Sequence, residues 1–255
     1  MLRLLLHVYG IPRRNNITSG FCMRILAGFC LFFIIAVGQS FGDSQVNAGK
    51  NSSLTSVAPR SADIQLELET LSGTAERIYE LAEENKWYKV RKKFDDLKKS
   101  ENAINAMRVE GNDFFLQHLR EKMEDLEHAI SAKNRKDTRK HANNITYLEA
   151  AMIGELRHRV PTNALLLGYC GREMEILAEE NDLDKLSNLV VRMHLIWQSL
   201  IPQLVDRNAT REIKNFSEIM KRLGKARTPD EFGQLASRVL DEVYGIEQVF
   251  RKSPK

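Results

Sequence analysis

The chain has 255 residues, 43% hydrophobic and 28% charged, which is enough apolar material for a sizeable buried core. Its three cysteines exclude a disulfide framework, because Cys22 and Cys30 precede residue 42 and only Cys170 follows it. The net charge of +4 also belongs to the first 42 residues, where Arg3, Arg13, Arg14 and Arg24 meet no acid; without those four arginines, 34 basic residues face 34 acidic ones, and no nucleic-acid partner is implied.

The first element in chain order is the apolar run Ile25 to Val37. Its thirteen residues reach about 20 Å as a helix, short of the ~30 Å hydrocarbon core of a bilayer. Met23-Arg24 precedes the run, and Gly38-Gln39-Ser40-Phe41-Gly42 follows it with small residues where a signal peptidase cuts. Residues 1–42 therefore read as a signal peptide cleaved after Gly42, with Met23 an alternative true start. The expected location is extracytoplasmic, periplasmic or secreted. The alternative is a chain anchored in the membrane by residues 25–37. Phe precedes both Cys22 and Cys30, so neither sits in a lipoprotein box. Residues 43–61, rich in Ser, Asn and Gly, read as a flexible leader.

From Ala62 onward apolar residues recur three and four apart, as in Phe115, Leu119, Met123, Leu126 and Ile130, the period of amphipathic helices. Turn and cap residues divide this region into eight predicted helices: 62–85, 87–109, 113–133, 137–159, 162–180, 183–206, 209–223 and 229–250. Asn85 and Asn181 suit tight interhelical turns. Gly111-Asn112 reads as a left-handed stop followed by a cap, and Gly224 as a second stop. Thr228-Pro229-Asp230-Glu231 is a capping-box start. Pro161 ends or kinks a helix, and Pro202 is expected to kink the sixth.

Leu81-Ala82-Glu83-Glu84-Asn85 returns 96 positions later as Leu177-Ala178-Glu179-Glu180-Asn181. Apolar positions match at the same offset: Leu71 with Leu167, Ile78 with Met174, Val90 with Leu186, Phe94 with Val190, Leu97 with Met193, and Ile104 with Leu200. The fold class is thus all-α, an antiparallel array of helical hairpins in two tandem four-helix units, 62–160 and 161–252, arising by internal duplication. The charge runs Lys86 to Lys99, Lys133 to His141 and Glu173 to Asp184 read as solvated helix faces.

Candidate chemistry is sparse. Past residue 42 the histidines are 118, 128, 141, 158 and 194, and no two lie three or four apart. Glu155 and His158 form one E-x-x-H, the element that di-iron bundles use twice, and Glu124 and His128 lie four apart on one helix. These four are the candidate metal ligands. A Met/His pair is the route to non-covalent haem, since no CxxCH occurs. Cys170, within LLLGYC, reads as a small buried hydrophobe. Trp87 and Trp197 read as core or groove aromatics. No nucleophile elbow, phosphate-binding glycine loop or HExxH is present.

The functional expectation is a non-enzymatic, exported helical protein that binds a protein partner or acts as a scaffold, with no cofactor. One alternative is a metal- or haem-binding bundle; another is a membrane-tethered extracytoplasmic sensory or scaffold domain, its contact with the membrane made only through an uncleaved N-terminal segment. Mass spectrometry of the native N-terminus checks the export reading: a chain beginning near residue 43 is expected, and retention of residues 25–37 refutes cleavage.

Overall fold

A computed structural model of the chain describes residues 57–107, 113–153 and 159–252. The predicted signal peptide, nearly all of the leader, Gly111-Asn112, Glu155 and His158 lie outside the described residues. Within them the chain is all-α, with eight helices: α1 (Val57–Glu83), α2 (Trp87–Ala106), α3 (Asp113–Ser131), α4 (Arg135–Ile153), α5 (Thr162–Glu179), α6 (Leu183–Asp206), α7 (Thr210–Leu223) and α8 (Pro229–Arg251). The largest departure from the sequence reading is at α1, which starts five residues before the predicted 62. Pro59 falls in its first turn, where a missing N–H costs no helical hydrogen bond.

Four turns use one device. Asn85, Lys133, Asn181 and Asn208 have φ of 55°, 51°, 57° and 56°, in the left-handed region. At the first, Lys86 N–H reaches back to the Leu81 carbonyl at 2.8 Å; at the third, Asp182 N–H reaches Leu177 at 3.1 Å. These i to i−5 bonds satisfy carbonyls that the helix end leaves open, and Asn tolerates the required φ better than other L residues. Gly224 also ends a helix, but with φ −64° it stays right-handed, unlike the stop first expected of it. Asn134 starts α4 two residues early by accepting from Asp137 N–H at 3.1 Å. Thr228 and Glu231 form the expected capping box. Pro161 precedes α5 in extended conformation (φ −61°, ψ 142°), and Pro202 lies inside the unbroken α6.

Each short turn reverses the chain. Helix α1 packs on α2 and α4, and α3 bridges those two; α5 likewise packs on α6 and α8, with α7 between them. Buried side chains form two apolar clusters, one from α1 to α4 with Ile176 of α5 added, the other from Val160 and α5 to α8. Of the six residue pairs matched at the 96-residue offset, all but Val190 are fully buried on both sides, so the register read from sequence is the core register. Trp197 anchors the second cluster, its ring 4.6 Å from Phe216 and its Nε1 donating to Ser217 at 3.3 Å. Cys170 is buried, and burial pushes its thiol up to about 12, so it is inert at neutral pH. Helix α5 approaches α8 closely at Gly171, where a Cβ would sit 2.7 Å from Leu240 Cδ2. Helices α4 and α5 join the two clusters, and residues Leu54–Lys255 form one compact unit. No helix among the described residues is long and apolar enough to cross a membrane.

The turn geometry makes a direct prediction. Asn85→Val or Asn181→Val forces a β-branched residue to positive φ and is expected to cost about 1–2 kcal/mol each in urea unfolding, whereas Gly at either site leaves stability nearly unchanged.

Candidate functional site

The site begins with an oddity of α4. Thr138, Arg139, Asn143, Thr146 and Glu149 recur at helical spacing, and all five are buried. The sequence reading had placed Lys133 to His141 on a solvated face. Instead this polar stripe packs against α1 and α5, where the acidic run 173–184 begins. The two runs of opposite sign are halves of one seam, and neither is simply surface.

Arg139, 1% exposed, is the hub of its upper part. Its Nη2 donates to Tyr79 Oη at 2.8 Å and to Glu175 at 3.4 Å, its Nη1 donates to Glu179, and its Nε lies 2.7 Å from Glu83. The guanidinium also sits 4.6 Å from the Tyr79 ring centre. Burial alone disfavours its charge, but Tyr79, Glu179 and Glu83 more than offset that and raise its pKa. Tyr79 in turn donates to Glu175 at 2.6 Å, and its pKa rises through burial and the adjacent carboxylate. Arg135 and Lys136 extend the seam to Glu179 and Glu180 at 2.9 and 2.8 Å.

Arg172 of α5 is the second hub. Its Nε donates to Asn143 Oδ1 at 3.0 Å, its Nη2 to Thr146 at 3.1 Å, and its Nη1 pairs with Glu76 at 3.0 Å. Asn143 Nδ2 faces the Tyr169 carbonyl and Glu173, both at 3.2 Å. One buried hydroxyl, Thr138 Oγ1, has no partner.

The contacts Glu76–Arg172 and Tyr79–Glu175 each join residues 96 apart, and Glu83 and Glu179, also 96 apart, share Arg139 and Arg135. Because these pairs advance together along both helices, α1 and α5 run parallel. Helix α4 covers one flank of this pair; α8 lies along the other.

On the α8 flank the packing stays open. A cleft of about 460 Å³ lies between Glu76, Tyr79, Glu80 and Glu83 of α1, with Glu84 in the turn after it, and Leu240, Val243, Tyr244 and Glu247 of α8, with Gly168, Arg172 and Glu175 of α5 as its floor. A second hollow of about 360 Å³ shares Glu83 and Glu175 with it and runs to Asp230 at the start of α8. Arg251 spans the cleft's far end, 3.6 Å from Glu69 and 3.5 Å from Glu247. Among the described residues Arg172 is the one cation lining the cleft, and it is already committed to Glu76, Asn143 and Thr146. Tyr244 stands at the rim, 67% exposed.

Burial raises the pKa of Glu173, Glu175 and Glu247. It acts hardest on Glu149, which is 2% exposed behind the cleft and pushed up to about 8. Ser72 hydrogen-bonds this carboxyl, while Glu76, Glu247 and Glu69 add repulsion against its ionisation.

Of the ligands picked from sequence, Glu124 and His128 are exposed on α3 and line neither hollow. The other two, Glu155 and His158, are outside the described residues. Among the described residues no group of three or more His, Cys, Asp or Glu side chains could hold a metal ion. Sequence reasoning missed Arg139, Arg172, Glu149 and Glu175. The available signal was the stripe 139, 143, 146 and 149, together with charge runs of opposite sign near the facing ends of consecutive helices. No known protein family, curated protein or solved structure matches the chain.

The raised carboxyls set a pH dependence. Between pH 4.5 and about 8 the unfolded chain ionises position 149 while the folded chain keeps its proton, so stability is full below that window and falls as pH rises through it. Glu149→Gln retains the acceptor for Ser72 without the ionisation. It is expected to gain on the order of 2–4 kcal/mol over the parent at pH 8, with little gain at pH 4.5, in thermal unfolding followed by circular dichroism.

Proposed function

We propose that the chain is an exported, non-enzymatic helical protein that works as a protein-interaction module, and that the groove between α1 and α8 is its docking surface. One observation carries this reading. The two flanks of the α1/α5 pair are treated differently: α4 closes one with a buried, hydrogen-bonded polar seam, whereas α8 leaves the other open over a row of carboxylates. The described cleft lining is made of carboxylates, two tyrosines, apolar side chains and an arginine already engaged, and non-covalent recognition is the role we assign to it. Export rests on the signal pattern of residues 1–42.

In this reading the body of the protein is an internal duplication, with units 62–160 and 161–252. Its support is the common 96-residue offset of the core pairs, of the left-handed Asn85 and Asn181 with matching hydrogen bonds, and of the seam contacts 76/172 and 79/175. Contacts between equivalent positions are what a local two-fold axis between two copies produces. The copies diverge where the groove forms. Arg139 and Asn143 of α4 correspond to Leu235 and Val239 of α8, and Glu149 corresponds to Gly245.

A photo-crosslinking residue placed at Tyr244, irradiated in the native compartment, tests the docking surface. The expected result is an adduct with a second protein that is at least about fivefold weaker when Glu80 and Glu84 are both changed to Lys. Adducts no stronger than those formed from the exposed Lys214 on α7 sink the reading.

A further inference from the structure

The groove's lining also defines the chemistry of its occupant; this inference rests on the docking reading above. We propose that the groove takes a cationic amphipathic helix of the partner protein, one carrying Lys or Arg on successive turns.

Three observations lead there. First, carboxylates form a row along one edge of the cleft: Glu76, Glu80 and Glu83 of α1 fall at i, i+4 and i+7, the spacing of one helix face, and Glu84 follows in the turn; of their internal partners Arg172 and Arg139 are buried, whereas Arg77 and Lys86 make exposed local pairs with Glu80 and Glu84. A helix lying beside α1 presents side chains at the same repeat, so cations three or four apart meet this row turn by turn. Second, the protein already contains such an arrangement on its other flank. Helix α4 lays Arg135 and Arg139, four apart, onto Glu83 and Glu179, with Lys136 on Glu180. Under the 96-residue correspondence Glu179 and Glu180 are the counterparts of Glu83 and Glu84. On the α8 flank no such basic helix is supplied, since α8 carries Leu235 where α4 carries Arg139; Glu83 there keeps only its bonds to Arg135 and Arg139 of α4, and Glu84 a local pair with Lys86. Third, the opposite wall is apolar and aromatic, formed by Leu240, Val243 and the exposed Tyr244. Such a wall suits the methylene stems of Lys and Arg, whose heads reach the carboxylates across the cleft.

The dimensions agree. Along α8 the two adjoining hollows run from Asp230 to Glu247, about 25 Å at 1.5 Å per residue, or between four and five helical turns. An anionic segment faces the same carboxylates, of which Glu80 and Glu84 are held only by exposed local pairs with Arg77 and Lys86. A metal ion is disfavoured because no three ligand side chains converge among the described residues.

The test titrates the full-length chain with a labelled synthetic helix of about 18 residues, alanine- and leucine-based with Lys at i, i+4, i+7 and i+11, and with its Lys→Glu counterpart. Binding of the Lys helix is expected to weaken at least about tenfold between about 50 and about 500 mM salt. It should weaken by a similar factor in Glu80→Gln/Glu84→Gln, whose exposed positions leave the fold intact by circular dichroism, and not in the control Glu218→Gln on α7. The Lys helix should also block the adduct formed from Tyr244. Equal binding to the parent and the double variant overturns the proposal, as does equal binding of the Glu helix. Binding of spermine with the same affinity and the same dependence on Glu80 and Glu84 overturns it in favour of a small cation. If the Tyr244 adduct forms but the Lys helix neither binds nor blocks it, the cationic chemistry fails and the docking surface stands. If the Lys helix binds at Glu80 and Glu84 but Tyr244 captures no protein, the docking reading fails instead.

Discussion

A guanidinium buried between three helices must be surrounded by acceptors, and that requirement organises the middle of this protein. Arg139 has lost almost all contact with water; Tyr79, Glu175 and Glu179 accept from its terminal nitrogens, and the Glu83 carboxylate lies beside its Nε as an ion pair. Those four residues come from α1 and α5. The cation therefore fixes the separation and the relative register of the two helices around which everything else is arranged. Arg172 repeats the logic lower in the seam, engaging α1 through Glu76 and α4 through Asn143 and Thr146. Apolar packing alone would set the two clusters side by side with less regard for register. A set of directed, buried hydrogen bonds admits few alternatives, because each misplacement leaves a charge unsatisfied at a cost of about 3–5 kcal/mol.

Once α4 occupies one flank of the α1/α5 pair with this network, the character of the other flank follows. Helix α8 meets α5 through close apolar packing, near enough at Gly171 that a methyl group would collide with Leu240. It reaches α1 mainly at the far end, where Arg251 faces Glu69. The space between is a cleft whose α1 wall is acidic and whose α8 wall is largely apolar. Carboxylates gathered this way repel one another, and those half-hidden in the floor and wall, Glu175 and Glu247, hold their protons above the ordinary range because burial leaves their charge poorly solvated.

Much of the architecture could be read from the chain alone, and particular residues show why. Asn85 and Asn181 announced two turns because a left-handed backbone is a local demand met by few residue types. Thr228 to Glu231 announced the start of α8 because a capping box closes within four residues. Leu71, Ile78, Leu97 and their partners 96 positions later announced the core face because helical periodicity is visible in any short window. The site was not legible in the same way. Glu124 and His128 looked like a pair by spacing, and they are an exposed pair of side chains on α3. Arg139 looked like one more surface cation in a lysine-rich run, and it is among the most deeply buried residues of the protein.

The sequence by itself determined the helices, most of their ends, and the apolar stripe each turns inward, because all of these are settled by interactions over a few residues. Only the tertiary structure decided which charges are surface and which are structural. Tyr79 and Glu175, or Glu76 and Arg172, are separated by 96 positions, and nothing near either residue says which flank of which helix it will face. Whether a charged stripe is solvated, satisfied in a seam or left lining a groove depends on what packs opposite it. That is a property of the assembled helices, and it is where the difference between α4 and α8 becomes a seam on one flank and a cleft on the other.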